Sequence, residues 1–204
     1  MRPSLYRSPL RGHAGMKYTD LSLAEIPDAI HGIAEDAHAT FGALDVRELN
    51  WKPEEAQWSI AQCFEHLITS NRLLVDAAKS AIANPPGSVW QRLPMWPGML
   101  GKLMVGSQGP RVPSSRKYVA NPIARPASSV RADIIQRFVD QHREIEAWAR
   151  TLHEQTARRA ILISPFVKII TYSVLDGLRL LVAHDRRHFE QARRVMIARQ
   201  EAGR

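Results

Sequence analysis

The chain has 204 residues, 45% of them hydrophobic and 24% charged, which suits one sizeable globular core and excludes a fibrous or fully disordered protein. Its formal net charge is +8; Arg2, Arg7 and Arg11 fall in the first fifteen residues, and without those three the charge is +5. Cys63 is the only cysteine, so an intrachain disulfide and a Cys-rich zinc site are both excluded, and a bound metal would have to rely on histidines and carboxylates.

The opening stretch "MRPSLYRSPLRGHAG" has two prolines, two glycines and no helical period, whereas "MKYTDLSLAEIPDAI" from Met16 begins like a folded domain. Residues 1–15 are therefore expected to be a mobile tail or the product of a start codon placed too early, and residues 16–204 to be one domain. No apolar run of signal-peptide length occurs in that tail. The first helix is expected from about Leu23 to Leu44, with Ile26, Ile30, Ile33, Ala37 and Leu44 on one stripe.

The second is expected to start at Ser59, an N-cap after Trp58, and to carry Ile60, Cys63, Phe64, Leu67, Leu74 and Ala78 as far as "NPPG" at 84–87. The connection over 85–127 is too long for a simple loop and is expected to act as a cover, a lid or a crossing segment. Within it "VWQRLPMWPGMLGKLMVG" (89–106) spaces Leu93, Trp96, Leu100 and Leu103 as a short amphipathic helix would.

Between Asp76 and Asp133 there is no acidic residue, while Lys79, Arg92, Lys102, Arg111, Arg116, Lys117, Arg125 and Arg131 all fall there. These cations are scattered among eight prolines and make no nucleic-acid-binding motif, so the interval is read as a solvated basic loop that could meet an anionic small molecule. No nucleic-acid partner is expected.

The third helix should begin near Ser128 or Ser129 and show Ile134, Phe138, Ile145, Trp148 and Leu152. The only strand-like run, "AILI" before Pro165, is too isolated to promise a sheet. The fourth helix should begin near Ser173 and show Leu178, Leu181, Val182, Phe189, Ala192, Val195 and Met196. Lys168, Asp176 and Arg179 interrupt the apolar stretch 161–182, which speaks against a membrane span and makes a cytoplasmic protein the expectation. Four long helices without a sheet predict an all-α protein, a four-helix bundle with a long irregular connection between the second and third helices.

The chemistry, if there is any, lies in the histidines. His184 and His188 stand four apart and share a face of the fourth helix, on the row of Leu181 and Val195. His66 borders the apolar stripe of the second. An i, i+4 pair can chelate a divalent metal from a helix, but spacing alone equally allows a boundary pair with ordinary hydrogen bonds. His31, His38, His142 and His153 are read as surface or boundary residues, Glu65 and Asp185 as solvated neighbours of His66 and His184, and Gln62 as a residue placed to orient His66.

"WSIAQCFEHL" and "HDRRHFEQARRV", with "FVKIITYSVLDGL" leading into the second, resemble the DinB-like superfamily of four-helix bundles, which also includes the bacillithiol and mycothiol transferases. The resemblance spans about residues 22 to 200. It implies a divalent metal (nickel, zinc or iron) held by three histidines, which in this chain are His66, His184 and His188. It also implies a frequent homodimer and, for the enzymes of the group, a low-molecular-weight thiol activated at the metal to attack a small-molecule electrophile. A metal-dependent hydrolase or isomerase without a thiol, and a metal-binding stress-response protein without turnover, are the alternatives it leaves open.

Overall fold

A computed structural model describes residues 18–84, 122–168 and 170–203. The expectations for residues 1–15 and for a helix within 89–106 lie outside the described residues, as does most of the 85–127 connection. Four long helices make the bundle: α1 (Ile26–Phe41), α3 (Ile60–Ala83), α4 (Ile134–Arg150) and α6 (Val174–Ala202). Short helices α2 (Val46–Asn50) and α5 (Glu154–Arg159) sit in the connections. Both α1 and α3 pack against both α4 and α6. The fold is all-α in character, as the periodicity predicts.

Local sequence sets the helix starts. Ser59 accepts from the Gln62 backbone N–H while the Gln62 side chain reaches back to the Ser59 N–H, a capping box that satisfies two donors at the head of α3. Ser173 caps α6 through the Asp176 N–H at 3.0 Å. Asp45 and Glu48 make a second capping box at α2, a short helix the sequence reading omitted. α1 runs over Ile26–Phe41 rather than Leu23–Leu44, because Ser22 is tied to the Glu25 carboxylate through both its N–H and its hydroxyl.

The third long helix starts at Ile134, not near Ser128. Asn50 explains the delay: its side chain donates to the Val130 carbonyl and accepts from the Val130 N–H, both at 2.9 Å. This clasp pins Val130 outside the helix.

The expectation for "AILI" also needs correction. Strands β1 (Ile161–Ile163) and β2 (Thr171–Ser173) pair antiparallel, with Leu162 opposite Tyr172. The turn between them closes through a Ser164 N–H bond to the Ile170 carbonyl at 2.8 Å, and the Ser164 hydroxyl accepts from Phe166 and Val167. β2 runs directly into α6 and hides its strand character in the helix pattern.

Each long helix contributes one phenylalanine to a chain of edge-to-face rings at the centre. Phe41 of α1 meets Phe64 of α3 and Phe189 of α6 at 5.3 and 5.4 Å, and Phe64 meets Phe138 of α4 at 4.8 Å. His66 and His188 lie within two residues of this aromatic centre, so the packing that closes the core also places them. No helix among the described residues is long and apolar enough to cross a membrane.

Candidate metal centre

The structure brings together the three histidines that the sequence singles out. His66 on α3 is 7% exposed, and His184 and His188 on α6 are half-buried. The ring centroids are 5.2 Å apart for His66 and His184, 4.8 Å for His66 and His188, and 4.7 Å for His184 and His188. One ligand atom from each lies within 4.8 Å of the other two, the only such group of three or more His, Cys, Asp or Glu found among the described residues.

Hydrogen bonds on the far side of two rings fix which nitrogen faces inward. His66 Nδ1 lies 2.7 Å from the Ala124 carbonyl, and a carbonyl only accepts, so Nδ1 carries the hydrogen and the neutral ring presents a bare Nε2. His188 Nδ1 donates to Gln191 Oε1 at 2.9 Å, which leaves its Nε2 bare in the same way. His66 Nε2 then stands 3.3 Å from His184 Nε2. Two nitrogens bound at roughly 2.0–2.1 Å in a tetrahedral site are about 3.3–3.4 Å apart, so this separation fits a shared ion.

The electrostatics agree. Burial lowers the pKa of all three histidines below the ordinary value. For His184 the effect is largest, and the neighbouring His188, His66 and Arg187 add to it. Burial, with His66 next, pushes His188 down to about 3. For His66 the Ala124 bond and the charge of Asp185 partly oppose the effect of burial. All three rings are therefore neutral at physiological pH, the form a metal requires.

One turn of α6 aims the pair. Asp185 accepts from Asn71 of α3 at 3.0 and 3.1 Å and lies 2.9 Å from His142 Nε2 on α4. His142 Nδ1 donates to the Phe138 carbonyl at 3.0 Å. Arg186 pairs with Asp36 of α1. Residues 184–188 thus make polar contacts with all three other long helices, and the rotation of α6 about its axis is fixed where its histidines emerge.

Two sequence expectations fail here. Asp185 and His142 are both 0% exposed rather than solvated or at a boundary. The signal was present. Asp185 sits four residues from Leu181 and Phe189, His142 four from Phe138, and Asn71 four from Leu67 and three from Leu74, so all three occupy core-stripe positions.

Gln62 does not act on His66. Its amide completes the α3 cap and donates to the Ala127 carbonyl at 2.7 Å. Glu65 is half-buried, and its carboxylate accepts from the Ala127 N–H at 2.6 Å. Gln62, Glu65 and His66 together clip residues 124–127 onto the start of α3. Of the remaining histidines, His31 pairs with Glu146, and His38 and His153 are exposed, as expected.

The family model of the DinB superfamily matches residues 29–192. The chain belongs to the DinB superfamily. No curated protein and no solved structure matches it. The match covers all of α3 and α4 and the part of α6 that carries His184 and His188, so the DinB fold and the histidine triad are parts of one unit. A triad of neutral imidazoles with convergent nitrogens is a donor set that could hold nickel, zinc or iron.

Proposed function

We propose that this DinB protein is a metal-dependent enzyme that joins a small thiol through its sulfur to a small electrophile, with His66, His184 and His188 as the metal ligands. The observation that carries the reading is the convergence of three neutral imidazoles, one buried and two half-buried, whose nitrogens face one another without an intervening carboxylate. Three protein ligands leave coordination positions for an exogenous group. When bound, the cation supplies Lewis acidity, which favours the deprotonated form of a thiol at neutral pH.

The carboxylates next to the ligands in sequence are engaged elsewhere, Asp185 with Asn71 and His142 and Glu65 with Ala127, so neither is free to serve as a general base. Activation of the nucleophile, thiol or water, would then rest on the cation. The thiol must also come from outside, because Cys63 is fully buried and burial pushes it up to about 12.

The segment clipped to α3 belongs to the basic, acid-free connection, and exposed Arg125 follows directly on Ala124, whose carbonyl holds His66. A cation there suits a thiol cofactor that carries carboxylates. The test is turnover of the metal-loaded protein against soft electrophiles, with and without low-molecular-weight thiols. Thiol-dependent product is expected. Thiol-independent hydrolysis would replace this reading with a hydrolase, and no turnover with the metal bound would leave a binding protein.

A further inference from the structure

A hydrogen bond at Nδ1 fixes one atom of an imidazole but not the plane of its ring, and a ligand nitrogen is useful only if that plane points it at the ion. A residue outside the triad lies against two of its rings. Trp58 immediately precedes the Ser59 cap of α3, and its half-buried indole lies against both. It stacks on His188 with an interplanar angle of 25° and a centroid distance of 5.8 Å, and it leans on His66 at 53° and 5.0 Å. His66 comes from α3 and His188 from α6, so one planar side chain spans the two helices that must cooperate in the site.

We infer that Trp58 is a positioning residue for the metal centre: its indole holds the His66 and His188 rings in their ligand orientation before an ion arrives. The inference rests on the metal reading of the triad and extends it to a residue that donates no ligand atom. The capping box tightens the device. Because Ser59 is fixed to Gln62, the indole sits at a set height above the first turns of α3, and His66 lies two turns further along the same helix. A flat ring is what the geometry uses. An aliphatic side chain of similar bulk fills the space without defining a plane.

The experiment compares Trp58→Phe and Trp58→Leu with the wild-type full-length chain. Zn²⁺ affinity is read by competition with a chelating dye, coordination by the visible absorption of the Co²⁺-loaded protein, and folding by circular dichroism of the chelated variants. Trp58→Phe should bind within about threefold of wild type with the same Co²⁺ spectrum. Trp58→Leu should bind roughly 10- to 100-fold more weakly, the range for residues that orient metal ligands, with an altered Co²⁺ spectrum and unchanged helical content. A leucine variant that matches wild type in affinity and spectrum overturns the inference, and so does a phenylalanine variant that loses as much as leucine. A wild type that takes up neither metal overturns the metal reading itself, a result distinct from either variant outcome.

Discussion

Replacing Asp185 with alanine should destabilise this protein more than any change at its surface. Asp185 and His142 are both fully buried, 2.9 Å apart, and the only other acceptor at His142 is the Phe138 carbonyl on its opposite nitrogen. Deleting the carboxylate strands the His142 Nε2 side and the Asn71 amide together inside a core of Phe138 and Leu67. Breaking a buried pair by removing one partner costs about 3–5 kcal/mol. For a domain of this size each kcal/mol moves the melting temperature about 2–4 °C, so the expected drop is about 6–20 °C.

The assay is thermal and urea unfolding of chelated protein, so that no ion contributes. His142→Leu should lose a comparable amount. The double variant His142→Leu/Asp185→Leu should lose clearly less than the sum, because replacing both partners with apolar groups removes the half-pair that either single variant leaves, and only the Asn71 amide stays without its acceptor. A loss below about 1 kcal/mol for Asp185→Ala, or strict additivity in the double variant, would refute the reasoning.

Chelated protein should lose stability as pH falls from 7.5 to 5.5. Folding depresses the His66, His184 and His188 pKa values, so below about 6.5 the unfolded chain binds protons that the folded chain refuses, and each histidine contributes at most about 1.4 kcal/mol per pH unit. Urea midpoints that stay flat or rise over this range would contradict the stated burial. Arg125→Ala should leave Zn²⁺ affinity unchanged and raise the KM for a carboxylate-bearing thiol several-fold; an unchanged KM would remove Arg125 from thiol recognition. Cys63 should resist a thiol-specific colorimetric reagent at pH 7 in native protein and react on unfolding, and rapid native reaction would show the thiol to be accessible.

The long helices were legible because each buries one continuous stripe, and Ser59 and Ser173 mark the starts of two of them in plain sequence. The triad was legible because His184 and His188 share a helix face and the motif around His66 resembles a known family. Sequence could not show what closes around them. Asp185 lies beside His184 and reads as solvated until Asn71 and His142, 114 and 43 residues away, are seen to meet it. The delayed start of α4 depends on Asn50, 80 residues before Val130. β2 is hidden in the sequence because its three residues merge into the helix that follows. For Asp185 and for the start of α4 the deciding partner is distant in the chain.

The central claim is that the three histidines hold a metal. It is tested most directly by elemental analysis of protein purified without a polyhistidine tag, wild type beside His188→Ala, each also measured after loading with Zn²⁺, Ni²⁺ or Fe²⁺. The wild type should carry about one equivalent of a divalent transition metal per chain, as a three-histidine site requires. His188→Ala should carry almost none while keeping its helical circular dichroism, because Leu181, Phe189 and Val195 still pack in the core. A wild type that stays metal-free after loading, or a His188→Ala variant that retains the wild-type equivalent, would contradict the account.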